Sequence, residues 1–568
     1  MRYRDRQGQR YVGCSAGCAL ERKCRGVQGG GARFAARRNG PRNICRAPTA
    51  MPAYEANIHP NGIPNTKTGN AWTASMHIFC AIVGAGVLAL PNTFVSLGWV
   101  AGPILIIVFY VISMLTSFLL IDVYQVDGIE FARYHLAVKY ILNKWNAYGL
   151  AIIQVLDLIL ITLAYTVSPA TAMKRIAQLS CEYDGTPLDD CWDKTWKMTL
   201  IFGAVQVPLS LMPNLESLWW ISGIGALMSV IYATIALALG LKYASNHMGT
   251  VGGDTTTDAN KAFGILNALG AIAFAYSYHV ILLEIQDTIR QPPLASKTMK
   301  KATFWSINLV FFYYFVIAVG GYASLGNEAP SYIFSGYPQA PRWVMMFGNI
   351  CLLVHMLSSF QLYAQPVFDT LESNVKHYLF KGKYAKHART AGIEGGLEDP
   401  TIEGKTVEDA STGDEKPAPA EYERDSSAPK LGRSSSTRAQ LERLSRASAM
   451  YRASTALARD DVEDNAEHRL PLYQRFIFRT IYVIIITVVA CCLPFFSDIA
   501  GLIGAIAFWP LSVYFPIQMW RKVYKPTGWF NWLLYAIDIS MFVVAIGATI
   551  GSIRSIIQSS QNYTVFGD

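Results

Sequence analysis

Among the ionisable residues inside long apolar stretches of this sequence, five are candidates for carrying a proton: His77, Asp157, His279, Glu284 and His355. Ionisable groups are expensive at membrane depth and usually serve the movement of ions or protons. Histidine titrates nearest to neutral pH, so it can load and release a proton there. The alternatives are neutral histidines held by neighbouring helices, an ion pair between Glu284 and a loop cation, and, for Asp157, either contact with a cationic substrate or a hydrogen-bonded, protonated acid.

A second set of residues weakens the first apolar helix near its centre. The run IVGAGVLALP at 82–91 places two glycines and a proline at membrane depth. Unwound backbone is tolerated there only where it lines a cavity, and it exposes N–H groups that attract a carboxylate. Close helix packing through small residues is the alternative reading. The candidate carboxylate-binding residues are Ile82, Gly84, Ala85 and Gly86.

A matching weak point lies in the sixth apolar segment, where polar and aromatic residues replace lipid-facing leucine. Backbone carbonyls freed there would accept the ammonium group of a zwitterion. Two interrupted helices at corresponding positions of two five-helix repeats are typical of inverted-repeat transporters, with the site at the bilayer midplane. The sequence therefore favours a substrate of amino-acid size. The candidate binding residues of this segment are Phe274, Ala275, Tyr276, Ser277, Tyr278 and His279.

The elements that must position these residues are membrane helices. Of the 568 residues 52% are hydrophobic and only 16% are charged, against about 25% in soluble proteins. About 20 apolar residues cross a bilayer as a helix. The sequence predicts an all-α integral membrane protein with about eleven spans, at 73–98, 100–124, 147–176, 198–213, 217–242, 262–285, 303–325, 342–368, 475–495, 498–520 and 530–555.

Lysine and arginine set the expected orientation. The net charge of +9 falls mostly in loops that lie inside when the N-terminus is inside, so it requires no nucleic-acid partner. The loop that contains Cys181 and Cys191 then lies outside, where disulfides persist. We expect these two cysteines to be bridged, with two free thiols as the alternative. The C-terminal tail, with the sequon Asn562-Tyr563-Thr564, is also expected outside.

Two polar segments flank or interrupt the helices. Residues 1–65 are expected to be a disordered cytosolic tail, in which Met51 is a candidate alternative start. Residues 66–380 and 471–568 hold the predicted spans one to eight and nine to eleven. Residues 381–470 are rich in Ser, Ala, Glu and Arg and are expected to be a disordered cytosolic insert. Its serines 434–436, beside arginines, make kinases candidate partners.

Several ordered runs resemble plant-type amino acid permeases of the amino acid/auxin permease family. They are GNAWTASMHI at 69–78 with VGAGVL at 83–88, FAY at 274–276, ILLEIQDT at 281–288, KTMKKA at 297–302, YAQPVF at 363–368 and FWPLSVYFP at 508–516. The resemblance implies a LeuT-type 5+5 inverted repeat plus one C-terminal helix. It also implies secondary active uptake of amino acids by proton symport through alternating access. His355 and His77 match family positions, so they are the expected proton-coupling residues, His355 first.

The chain departs from the family pattern at several positions. Ser277 and His279 stand where proline and serine are usual, and Asp157 where asparagine is common. The paired hydroxyls of Ser358 and Ser359 could hold Na⁺, which makes a sodium-coupled carrier one alternative. An amino acid sensor on the same fold is another. No nucleophile motif, metal cluster or phosphate loop stands out, so we expect neither an enzyme nor a cofactor. The plasma membrane is the expected location, with endomembranes as the alternative.

Overall fold

The computed structural model describes residues 67–84, 86–187, 190–211, 219–244, 249–253, 258–390 and 471–561, with only the backbone for 373–390. The predicted N-terminal tail, the insert from residue 391 to 470, Ala85 and the C-terminal sequon lie outside the described residues.

The described chain is almost entirely helical, as the apolar spans predict. Its small sheet is an antiparallel hairpin of two strands with two residues each, β1 (Gln125–Val126) and β2 (Ile129–Glu130). The helices are α1 (Ala71–Ile82), α2 (Gly86–Asp122), α3 (Tyr134–Ile141), α4 (Lys144–Asp184), α5 (Thr195–Leu209), α6 (Trp219–Lys242), α7 (Asp258–Ala275), α8 (Leu282–Asp287), α9 (Ala295–Leu325), α10 (Arg342–Thr390), α11 (Leu472–Cys492), α12 (Phe496–Ala507), α13 (Phe515–Tyr524) and α14 (Trp529–Gln561).

Nine helical segments of the described residues are long and apolar enough to cross a membrane. With 12 and 15 residues, α1 and α5 are too short to be counted among them. The nine include α7 joined to α8, and α12 joined to α13 through the π-helical turn Phe508–Tyr514. The predicted number of eleven spans therefore stays a prediction.

Gly98 divides α2 into two helices. Its φ of +69° is left-handed, a conformation that glycine adopts without steric cost. A β-carbon at Gly98 would also overlap the carbonyl oxygen of Val251 and the backbone nitrogen of Gly253. The first predicted span thus consists of α1, a short unwound segment and the part of α2 before Gly98.

Several helices are longer than the predicted spans. The helix α4 begins at Lys144 and ends at Asp184, and α9 begins at Ala295. The helix α10 continues to Thr390, ten residues into the range of the expected insert, and the insert itself stays a prediction. The spans were predicted from apolar residues, which are needed only where the helix would lie in lipid. A helix can continue past the lipid because its backbone hydrogen bonds are satisfied there as well.

Two opposite ends of the helices can be recognised by their contacts. At the first, the Lys67 end, the backbone of Gly69 pairs with Thr288 and Arg290. At the second, the disulfide end, a disulfide joins Cys181 to Cys191. The helix α4 runs from the first end to the second, and the broken helices lie between them.

The helix α14 lies at the edge of the helical assembly. Only 17% of its apolar 18-residue stretch is buried. The helix exposes large side chains such as Trp532, Ile539 and Val543. Soluble proteins rarely expose contiguous apolar surfaces of this size. This face is typical of contact with lipid.

Candidate functional site

The first helix break follows Ile82 and leaves backbone carbonyls without helical partners. Tyr232 donates its hydroxyl to the carbonyl oxygens of Val83 and Gly84, at 3.0 and 3.1 Å. Tyr314 donates to the carbonyl oxygen of Ile82, at 2.5 Å. Buried carbonyl groups require such partners, so tyrosines from α6 and α9 stabilise the unwound segment.

The second break follows Ala275, where α7 ends. Tyr276 and Ser277 are non-helical, a single 3₁₀ turn covers His279–Ile281, and α8 follows. The carbonyl oxygen of Ala275 accepts a hydrogen bond of 3.1 Å from Tyr314. The same hydroxyl therefore contacts freed carbonyls of both broken helices, and the two breaks face each other across it.

A small cavity lies between the two breaks. Its volume is about 10 Å³, which holds about one water molecule, so the site is closed around a space smaller than an amino acid. The candidates Ile82, Gly84, Gly86, Phe274, Ala275 and Ser277 line this cavity, together with Ala81, Ile161, Tyr165 and Tyr363.

Three candidates from the second break do not line the cavity. The Tyr278 hydroxyl lies 2.6 Å from the hydroxyl of Ser117, and His279 Nε2 lies 2.9 Å from the same atom. His279 Nε2 also contacts Thr116, at 3.1 Å. Tyr278 and His279 are therefore packed against α2, while Tyr276 is buried against Tyr314.

Sequence reasoning missed four tyrosines that surround the breaks. Tyr363 and Tyr165 reach the carbonyl oxygen of Ala81 at 3.0 and 3.4 Å, and Tyr232 and Tyr314 contact the residues that follow it. Each is almost completely buried. A tyrosine within an apolar helix must find a partner for its hydroxyl, and this was the available signal.

His355 lies on α10 with both ring nitrogens partnered. Nδ1 is 2.9 Å from the carbonyl oxygen of Gly225, which can only accept, so Nδ1 carries a proton. Nε2 is 3.1 Å from the Ser359 hydroxyl, which is also 3.1 Å from the carbonyl oxygen of Cys80. His355 is thus connected through one hydroxyl to the last turn of α1.

The other histidine candidate and the predicted sodium ligands have local partners. His77 Nδ1 lies 3.0 Å from the Ser222 hydroxyl. Ser359 contacts Cys80 as described, and the Ser358 hydroxyl lies 3.1 Å from the Cys80 sulfur. Both serine hydroxyls are therefore engaged with α1.

The two acidic candidates differ in their surroundings. Asp157 is 1% exposed, and neither of its carboxyl oxygens has a hydrogen-bond partner among the described residues. Glu284 Oε1 lies 3.5 Å from Gln154 Nε2. Within the described part of the chain Glu284 forms no ion pair, which differs from one of the expectations for it.

A polar network lies at the Lys67 end. The Lys67 ammonium lies 2.6 Å from Asp287 Oδ1 and 3.3 Å from Glu130 Oε2. Tyr124 donates to Asp287 at 2.7 Å, and Gln291 donates to Glu130 at 2.7 Å. This network joins the segment before α1 to the end of α8 and to the β-hairpin.

Charge and burial also affect the pKa values of this network. Burial alone lowers the pKa of Lys67, but the carboxylates of Asp287 and Glu130 outweigh it and raise that pKa above its ordinary value. Burial, followed by the same two carboxylates, raises the pKa of Tyr124. Lysine and tyrosine therefore both keep their protons at neutral pH.

A larger space of about 500 Å³ lies toward the disulfide end. Its lining includes Thr93, Asn267, Phe496, Asp498 and Ser559, from α2, α7, α12 and α14. Phe496 contacts Phe274 of the central cavity, with ring centroids 6.4 Å apart. We call this larger space the vestibule. The ring pair lies between the vestibule and the central cavity.

The chain is similar to known transporters along most of its length. It matches the family model described as transmembrane amino acid transporter protein over residues 67–558. It is 31% identical to amino acid permease 2 of Arabidopsis thaliana, covering 88% of this chain and 90% of that protein. For amino acid permease 3 of the same plant the identity is 30%, with 88% and 94% covered.

The comparison with solved structures gives matches to two transporters. Mhp1, a nucleobase-cation-symport-1 family transporter in a closed conformation, matches with a TM-score of 0.44 and 12% identity over 88% of this chain and 95% of Mhp1. A Na⁺-coupled sialic acid symporter matches with a TM-score of 0.40 and 9% identity, covering 88% and 91%. By its sequence, the protein belongs to the transmembrane amino acid transporter family, as a multi-pass membrane transporter of amino acids and not an enzyme.

Proposed function

We propose that this protein imports amino acids by proton symport through alternating access. The observation that carries the proposal is the pair of broken helices that face each other across the closed cavity. The N-terminus of α2 would attract the substrate carboxylate, and the Ala275 carbonyl would accept from the ammonium. To bind, the substrate would displace the Tyr314 hydroxyl from one or both carbonyls.

The arrangement of the two ends supports alternating access. The Lys67 network closes one end, while the vestibule approaches the cavity from the other as far as the Phe274–Phe496 ring pair. Substrate would enter past these rings. Release on the other side requires the Lys67 network to open, so the two closures would alternate.

The contacts of His355 support a route for proton coupling. Ser359 has a single hydroxyl proton, which it can donate either to His355 Nε2 or to the Cys80 carbonyl. Nε2 of neutral His355 accepts a hydrogen bond from the Ser359 hydroxyl. Protonated His355 donates instead, so Ser359 must turn to Cys80. The charge on His355 would thereby change a hydrogen bond to α1, two residues before its break.

We also propose eleven spans in a LeuT-type arrangement, with α14 as the helix outside the 5+5 repeat. The α2 division at Gly98 supports this count, because it yields one broken span and one continuous span. The helix α5 supplies the fourth span. Labelling of single introduced cysteines from each side of the membrane would test both the number of spans and the expected cytosolic position of the Lys67 end.

The deciding experiment is electrophysiology in oocytes. Neutral, acidic and basic amino acids would be applied at pH 5.5 and 7.5, with Na⁺ or with choline. We expect inward currents that increase at the lower pH and persist in choline. Currents that require Na⁺ would favour the sodium-coupled alternative at Ser358 and Ser359, and binding without current would favour a sensor. A fluorescent fusion would distinguish the proposed plasma membrane from endomembranes.

A further inference from the structure

Building on the proposed transport function, we propose that Asp157 receives the cationic side chain of lysine or arginine, so that the carrier accepts basic as well as neutral amino acids. The inference concerns the class of substrate and rests on the position of one carboxyl group relative to the central cavity.

The first observation is that Asp157 is buried without a donor. Neither carboxyl oxygen has a hydrogen-bond partner among the described residues. Asp538, the other buried aspartate of the described chain, receives hydrogen bonds from Trp509 at 2.9 Å and Gln518 at 3.1 Å. A buried carboxyl normally has such partners, and an orphan requires an explanation.

The second observation is that Asp157 continues the cavity wall. Tyr165, Ile161 and Asp157 follow one another at four-residue intervals, which places them on one face of α4. The first two line the cavity. Four residues advance a helix by about 6 Å, so Asp157 lies one turn beyond the cavity, toward the Lys67 end.

These observations together define a side-chain position. The two helix breaks would hold the substrate's carboxylate and ammonium groups at the level of Gly84 and Ala275. A side chain that extends along the α4 face would pass Ile161 before it reaches Asp157. Lysine and arginine combine an apolar stem with a charged head, which suits an apolar wall that ends in a carboxylate.

The chemistry of the two partners is complementary. A carboxylate only accepts hydrogen bonds, whereas ammonium and guanidinium groups only donate them. A basic side chain would therefore supply both the missing charge and the missing donors. A neutral amino acid leaves this end of the site unused and depends on the two helix breaks for binding.

Uptake of paired substrates by matched variants tests the proposal. Radiolabelled lysine and norleucine, whose stems are alike but whose charges differ, would be measured in oocytes with wild type, Asp157→Asn and Asp538→Asn, each corrected for surface abundance. We expect Asp157→Asn to lower the lysine-to-norleucine ratio at least about tenfold, because it removes one partner of a buried charge pair. Asp538→Asn should leave the ratio within about twofold of wild type.

Each outcome of this uptake experiment either supports or overturns the role of Asp157. If Asp157→Asn does not reach the surface, Asp157→Ser takes its place. Wild type that carries norleucine but neither lysine nor arginine overturns the proposal and leaves amino acid transport standing, as does a neutral Asp157 variant with the wild-type ratio. Wild type that carries no amino acid overturns the proposed function itself.

Discussion

At the scale of single residues, the glycines of the first break have different roles. The sequence marks Gly84 and Gly86 equally, since both weaken a helix. The structure separates them. A β-carbon at Gly84 would lie 2.5 Å from the Tyr165 hydroxyl, whereas one at Gly86 would lie 3.5 Å from the nearest atom of Phe274. The first distance requires rearrangement, and the second is an ordinary contact.

We therefore predict that Gly84→Ala is much more harmful than Gly86→Ala. Gly84→Ala should lower uptake by about tenfold or more, because Tyr165 must move away from the cavity it lines. Gly86→Ala should stay within about threefold of wild type. Radiolabelled uptake, corrected for surface abundance, measures both. Equal effects of the two substitutions would contradict the closed geometry described for this site.

A second residue-scale prediction concerns the hydroxyl between His355 and α1. Ser359→Ala should flatten the dependence of uptake on external pH, because protonation of His355 can no longer change the bond to Cys80. His355→Gln should flatten it further. Uptake between pH 5 and 8 is the measurement.

Ser306→Ala provides the control for this prediction. Ser306 also donates to an α1 carbonyl, that of Ser75, at 3.3 Å, but no histidine contacts it in the described structure. It should keep the wild-type pH profile. If Ser359→Ala keeps that profile as well, the proposed route through Cys80 is wrong.

The sequence analysis proposed some of the residues that line the central cavity and missed others. Gly84, Phe274 and Ser277 were found because helix-weakening and polar residues stand out in an apolar segment. Tyr165 and Tyr363 were missed, since each lies in an otherwise ordinary apolar helix and its partner carbonyl is distant in sequence. Periodicity identifies a buried face, but it does not show which buried face meets a broken backbone.

At the scale of elements, the segment before α1 is bound to the end of α8. Lys67 reaches Asp287 at the end of α8 and Glu130 of the hairpin, and Gly69 pairs with the backbone on both sides of Ile289. The sequence indicated that spans one and six are both interrupted. It did not show that the chain ahead of span one contacts the end of span six, because this contact joins residues more than two hundred positions apart.

We predict that Lys67→Gln opens this end without changing the pH profile of uptake. The pKa of Lys67 is raised, so its ionic contribution is fully present below the ordinary lysine pKa of about 10.4 and is lost only as the pH rises through the raised value. Lys67 therefore stays charged between pH 5 and 8, and its loss should change access rather than pH dependence.

Accessibility of a cysteine introduced at Ser277 measures that effect. In Lys67→Gln, a reagent applied from the Lys67 end should modify this cysteine faster than in the Lys67 parent. Lys300→Gln, which breaks the more exposed pair of Lys300 with Asp122 at 2.6 Å, serves as the control and should change the rate little. Equal rates in all three proteins would show that the Lys67 network does not hold this end closed.

At the scale of the whole molecule, the chain divides into transporter helices and a long polar insert. Composition predicts this division, which stays a prediction, and the helix α10 extends to Thr390 within the described residues. What composition could not predict is how α10 and α11, on either side of the insert, are joined. Glu372 of α10 pairs with Arg479 at 2.7 Å and with Arg475 at 3.4 Å, both on α11.

This ion cluster joins α10 directly to α11 within the described part of the chain. Arg479 is 1% exposed and also donates to the carbonyl oxygen of Ser210 at 2.6 Å, which links α11 to the end of α5. Breaking a buried pair by removal of one partner is strongly destabilising. Contacts between α10, α11 and the end of α5 are thus present in the described helices themselves.

We predict that a flexible Gly/Ser linker in place of residues 395–465 preserves amino acid uptake within about twofold, because the Glu372 cluster survives the deletion. Glu372→Gln in the full chain should instead lower both thermal stability and uptake, since it leaves Arg479 buried without its carboxylate. Uptake, surface abundance and the melting temperature of the purified protein are the measurements.

A deletion variant that reaches the surface but no longer transports would assign the insert to the transport cycle. A variant that transports normally but loses a signalling response to amino acids would place the sensor function there.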